Sequence, residues 1–190
     1  WWVDTLALQS ASAPLSFTVD TTYLDNPVAT QYEPISRRSN DYALWTGDFL
    51  TTIGFPRTGS LETDMRSFNQ AQRVKHDSDW SFTIFVVPSQ NDADGQFLAG
   101  GSFNRAFAFA GGLFMIVPST RPASTYAHES GHIFWARDEY AGGGSYSDQR
   151  GYYNTQNVNA ANNPNLGFVQ QPSIMASGTL LDTAYANHIS

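Results

Sequence analysis

His128-Glu129-Ser130-Gly131-His132, with Asp138 six residues further on, places three metal-ligand side chains and a second carboxylate within eleven residues. Histidines at i and i+4 leave a helix on the same face, one turn apart, so two imidazole nitrogens can meet one ion at roughly 2.0–2.1 Å. Glu129 then stands beside that ion. In the H-E-x-x-H arrangement the glutamate is not a ligand but takes a proton from water, whose pKa zinc lowers to about 7. A solvated helix face can carry the same residues by chance, so the surrounding sequence has to decide. The chain has four histidines, and two of them sit at this spacing. Upstream, Phe107-Ala108-Phe109-Ala110, Gly111-Gly112 and Leu113-Phe114-Met115-Ile116-Val117 form an apolar, strand-like stretch ending at Pro118, the pattern of a core strand feeding a helix. Ser119, Thr120, Ser124 and Thr125 offer hydroxyls for a helix start, and Pro122 is tolerated in a first turn.

Zinc in a catalytic centre takes three protein groups and leaves one position open. A helix that continued past His132 could not supply the third. Glu139 would return to the face of His128 and His132, but roughly 10 Å further along the axis. The helix must end and the chain fold back, which makes Asp138 the first choice of third ligand and Glu139 the second.

These residues resemble the metzincin-type zinc peptidases, whose pattern is H-E-x-x-H-x-x-G-x-x-H/D with a downstream Met-turn. Aspartate in the third position is similar to the snapalysin-type branch, and Asp138-Glu139-Tyr140 is similar to the ending found in bacterial peptidases related to the IgA-cleaving metallopeptidases. The resemblance is specific over residues 107–140, weaker over 171–177 and absent from 1–55. It implies Zn2+ held by His128, His132 and Asp138, with Glu129 as the catalytic base acting on a peptide or protein substrate. Within Gln171-Pro172-Ser173-Ile174-Met175-Ala176-Ser177 it implies a turn that puts Met175 beneath the metal. Trp135 stands where the family has glycine. Glycine there allows a sharp exit with φ > 0, which costs a tryptophan steric energy, so the expectation is a helix running about a turn further, over about 122–136.

Composition narrows the classes. With 190 residues, 41% of them hydrophobic, the chain can bury one sizeable core and reads most simply as a single domain over 1–190, with residues 1–55 as a candidate N-terminal subdomain. Zero cysteines remove disulfides and thiolate sites, so a metal must be held by histidine and carboxylate. A formal net charge of −7 argues against nucleic acid or an anionic membrane as the main partner. No apolar run approaches the roughly 20 residues that span a bilayer. Few lysines and arginines, many Asn, Ser, Thr, Gly and Tyr residues, and the resemblance together favour a secreted protein. No signal peptide is visible, and the first residue, Trp1, and the end shortly after Met175 suggest a piece of a longer chain. The oligomeric state is not legible.

Elsewhere the pattern is coarser. Short alternations at Trp1–Leu8 and Leu15–Thr22 read as strands, and residues 25–40 as irregular. Asn40–Leu50 fits either a helix or a strand. Leu61, Met65, Phe68 and Gln72 follow helical spacing, with Glu62 and Arg66 paired on another face, which predicts a backing helix over Leu61–Gln72. Trp80–Val87 reads as a core strand. Gln90–Gln96 is rich in oxygen ligands and broken by Gly95. It reads as a turn, with Ca2+ binding as the second reading, since it lacks the distal glutamate of an EF-hand. The long loop Ala141–Gly167 is placed to wall a cleft near the third ligand.

The expected fold is therefore α+β and zincin-like: a mixed sheet, a backing helix and an active-site helix. Ala106–Ala110 is the candidate edge strand to which an extended peptide would add, with Gly111-Gly112 either admitting the substrate backbone or turning a hairpin. The function that follows is a zinc-dependent endopeptidase. Tyr140 and Tyr185 are candidates for oxyanion or supporting roles. Two other readings use the same residues: a protein- or glycan-binding module with a silent zinc site, and a zinc hydrolase of a non-peptide amide or ester.

Overall fold

A computed structural model describes residues 1–9 and 15–177. In chain order its elements are helices α1 (Trp2–Gln9) and α2 (Thr22–Asp25), a 3-10 turn at Ser39–Asp41, α3 (Tyr42–Thr52), α4 (Leu61–Lys75), strands β1 (Thr83–Val87), β2 (Phe107–Ala108) and β3 (Phe114–Pro118), α5 (Ala123–Ile133), strands β4 (Gln149–Arg150) and β5 (Thr155–Gln156), and α6 (Ile174–Ser177). The class is α+β. Among the described residues no helix is long and apolar enough to cross a membrane. The chain divides into two compact units, one of residues 18–121 and the other of residues 1–17 with 122–190.

The unit of residues 18–121 is built on a three-stranded mixed sheet in the order β1-β3-β2. β1 runs parallel to β3, with Thr83 opposite Phe114 and Val87 opposite Pro118. β2 runs antiparallel to β3 at the edge. Every residue of β3 is buried, as its unbroken apolar run requires of a strand covered on both faces. Gly111 and Gly112, at φ 82° and 87°, lie in the turn between β2 and β3, and the Trp80 ring packs where a Cβ on Gly112 would stand. This pair therefore serves as a hairpin turn.

Asn40–Leu50 resolves as helix because Trp45, Phe49 and Leu50 share one buried face. Phe49 meets Phe68 of α4 and Phe85 of β1 edge to face, at ring separations of 5.9 and 5.3 Å, an arrangement that aromatic quadrupoles favour. Helix α4 backs the sheet, as its periodicity predicts. Ser60 caps its first turn through Thr63 N–H, and acidic residues in the first turn with basic ones in the last suit the helix dipole. Buried Asn69 donates to the Leu113 carbonyl at 2.5 Å and accepts from Thr83 Oγ1 at 2.7 Å, fixing α4 on the sheet. Gln90–Gln96 is a tight turn in which Asp92 Oδ1 accepts from the N–H groups of Asp94 and Gly95.

In the other unit the strand reading of Trp1–Leu8 is corrected to helix α1. Its period-2 pattern is overridden by packing: Trp1 and Trp2 lie against the buried cluster of Ala127, Ile174 and Met175, and Trp2 Nε1 donates to the Ala127 carbonyl at 3.0 Å. Leu15–Asp20 lies in no strand. Within the long loop, β4 and β5 pair as a short antiparallel hairpin.

Candidate metal centre

Helix α5 starts at Ala123, after the N-cap Pro122, whose backbone is extended (φ −69°, ψ 162°) and provides no side-chain cap. None of the nearby hydroxyls caps it. The helix stops at Ile133, about three residues before the expected end, and the residue that stops it is Trp135, in the left-handed region at φ 75°. The bonds are those of a Schellman turn: Ala136 N–H reaches back to the Gly131 carbonyl at 2.9 Å and Trp135 N–H to the His132 carbonyl at 3.0 Å. Tryptophan thus takes the conformation for which glycine is the usual residue. The expectation that Trp135 would prolong the helix is corrected, because backbone bonding at the helix end outweighs a left-handed penalty of about 1–2 kcal/mol.

The early stop has a direct consequence for His132. It presents the Ala136 carbonyl to His132 Nδ1 at 3.0 Å. One turn back, His128 Nδ1 lies 3.0 Å from the Ile174 carbonyl. A carbonyl can only accept, so each Nδ1 carries the hydrogen, and in the neutral ring each Nε2 offers a lone pair. Asp138 Oδ1 stands 3.0 Å from His128 Nε2 and 3.3 Å from His132 Nε2. It is buried, and with both rings neutral no hydrogen-bond donor serves it.

Three acceptors facing one point repel unless a cation, or a proton on one ring, lies among them. Tetrahedral ligands at about 2.0–2.1 Å from an ion stand about 3.3 Å apart, close to the two separations found. Two imidazoles and a carboxylate are a donor set that suits zinc. His128, His132 and Asp138 are the one group of this kind among the described residues, with ligand atoms within 4.8 Å of one another. They form a candidate metal centre.

The electrostatics agree with that geometry. Burial works against a charged His128 ring, but contacts with Asp138, the Ile174 carbonyl and Glu129 outweigh it and raise its pKa above the ordinary value. Burial would also raise Asp138, yet the two imidazoles hold its carboxyl well below the usual range. Both shifts mean that positive charge is favoured between the three groups, as a proton on a ring when no cation is held there. Glu129 is buried beside them, with Oε2 lacking a hydrogen-bond partner. Burial, opposed by the two histidines, pushes its carboxyl up to about 7.

Asp138 and Glu139 point to different places. Asp138 joins the histidines, whereas Glu139 is fully buried and accepts at Oε2 from the Ser173 hydroxyl and from Asn159 Nδ2. Met175 is completely buried, and a Cβ placed on Gly131 would stand 2.5 Å from its sulfur. Glycine between Glu129 and His132 is therefore what lets Met175 pack under the helix. Tyr140 is near His128, at 6.4 Å between ring centres. Burial and then the Asp138 charge push its hydroxyl up to about 12. Tyr185 lies outside the described residues.

The sequence reading missed the carbonyls of Ala136 and Ile174, since a carbonyl is common to every residue and leaves no signal. It also missed Ser173 and Asn159 as supports. The loop that follows the site is anchored to it, through Asn157 Nδ2 to the Asp138 carbonyl at 2.9 Å and Ala161 N–H to the Glu139 carbonyl at 2.8 Å. An open depression of about 460 Å³ on that loop is lined by Gly142, Gly143, Ser145, Asp148 and Asn162 among others. Set beside models of known families, curated proteins and solved structures, the chain matches none.

Proposed function

We propose that the chain is a zinc-dependent endopeptidase of the metzincin-like kind, with a zincin-like arrangement of its α+β fold, acting outside the cell on a peptide or protein substrate. The observation that carries this reading is the convergence of three lone-pair donors, His128 Nε2, His132 Nε2 and Asp138 Oδ1, on one point next to a buried carboxylate that is not among them. A group holding a metal for structural reasons alone has no use for Glu129 at its side.

In this reading His128, His132 and Asp138 hold the ion, and the carbonyls of Ile174 and Ala136 keep both rings aimed at it. A bound zinc supplies Lewis acidity, polarising the scissile carbonyl and making water acidic near neutral pH. Glu129 would take the proton of the attacking water and pass it to the leaving amine. Burial around Glu129 favours its protonated form, which suits a group that has to accept a proton. Met175 closes the centre from below with apolar surface.

The deciding experiment combines metal analysis with cleavage of a peptide library, with and without a chelator. Wild-type protein should hold about one zinc per chain and cleave in a chelator-sensitive way. Glu129→Gln should keep the zinc and lose activity by about 10²–10⁴-fold, whereas His132→Ala should lose both. A Glu129→Gln protein that cleaves as fast as wild type would remove the mechanism. A zinc-loaded wild type that cleaves esters or non-peptide amides and no peptide would move the assignment to another hydrolase class.

A further inference from the structure

We infer that Glu139, which is not one of the three ligand residues, is a positioning residue: its buried carboxylate joins the segment bearing Asp138 to the turn that orients His128, and so sets the spacing of two ligands. The inference rests on the metal-centre reading above.

A fully buried carboxylate is costly unless it is well bonded, and Glu139 is fully buried next to a residue that faces the centre. Its bonds run to three segments of the same unit. Oε2 accepts from Ser173 Oγ–H and from Asn159 Nδ2, the latter at 2.7 Å. Its N–H donates to the Met175 carbonyl at 3.0 Å. Its carbonyl accepts from Ala161 N–H at 2.8 Å and from Gln170 Nε2 at 2.7 Å.

Ser173 makes the connection to the site specific. Its Oγ also accepts from Ala176 N–H at 3.0 Å, so one buried hydroxyl both donates to Glu139 and caps the first turn of α6. The next residue is Ile174, whose carbonyl fixes the His128 ring. The path from Asp138 to His128 therefore passes through Glu139, Ser173 and Ile174, each step a hydrogen bond or a direct chain link. Displacing α6 would shift the carbonyl to which the His128 ring is bonded. Partners of this kind, one step behind the ligands, typically contribute 10–100-fold to metal affinity.

The test measures zinc affinity of the full chain by competition with a chromophoric chelator, with circular dichroism of the zinc-free protein recorded in parallel. Glu139→Leu should bind zinc about 10–100-fold more weakly than wild type. Glu139→Gln, which keeps an oxygen for both donors, should recover most of that loss. Ser173→Ala should weaken binding several-fold while leaving the carboxylate in place, and it decides the matter if Glu139→Leu does not fold. Wild-type zinc affinity in folded Ser173→Ala or folded Glu139→Leu overturns the inference, even if stability has dropped. Failure of the wild-type chain itself to bind zinc would instead overturn the metal-centre reading on which the inference rests.

Discussion

Gly131 and Met175 depend on each other. No side chain larger than hydrogen fits at 131 while the Met175 sulfur lies where it does, and Met175 is itself fully buried. Gly131→Ala should therefore destabilise the protein by about 1–3 kcal/mol, the usual cost of overpacking a filled core, despite alanine being the better helix former. Met175→Ala leaves a cavity and should be destabilising alone. In the double variant the new methyl occupies part of that cavity, so the combined loss should fall short of the sum by about 0.5–3 kcal/mol. Denaturant unfolding of the two single variants and the double variant measures the coupling, and strict additivity would show that the two residues do not meet. The identity of the glycine was legible in the H-E-S-G-H run, but its reason was not, because Met175 is 44 residues away in the chain.

At the scale of elements, the end of α5 is where local preference and observed structure part. Residue-by-residue conformational cost favours extending the helix past Trp135, whereas the Schellman bonds, once formed, satisfy carbonyls that a longer helix would leave to later residues. Trp135 is half-exposed (45% exposed) and lies beside Gly151. Trp135→Gly should be at least as stable as wild type, and Trp135→Val should be less stable by about 1–2 kcal/mol, since a β-branched residue tolerates positive φ worst. Thermal or denaturant unfolding checks both, and a strongly destabilised glycine variant would mean that the indole's packing outweighs its strain. The same competition between local pattern and packing explains α1, where alternating residues form a helix because two tryptophans cover Ala127 and Met175. For α4 and β3, pattern and packing agree: a 3.6-residue period in one and an unbroken apolar run in the other each allow a single buried arrangement.

For the whole molecule, the residues proposed to hold zinc all belong to the unit of residues 1–17 and 122–190, and none to residues 18–121. Zinc that binds only the folded centre should stabilise the protein by about 4 kcal/mol at a free concentration 1,000 times its Kd. The gain should also be local. Amide hydrogen exchange should slow across 122–177 on adding zinc and change little over 18–121, and His132→Ala should abolish the difference. Protection confined to residues 18–121, or unaffected by His132→Ala, would place the binding elsewhere.

The sequence by itself determined the α+β class, the backing helix, the buried strand before α5 and the residue types that meet at the centre. These follow from periodicity and from the one-turn spacing of His128 and His132, both properties of neighbouring residues. Only the tertiary structure brought Asp138 rather than Glu139 to the two histidines, ended the helix at Trp135 and set the carbonyls to which the two rings are bonded. Each of those outcomes depends on atoms brought together from distant parts of the chain, where hydrogen bonding in a buried space overrides what any single segment would prefer.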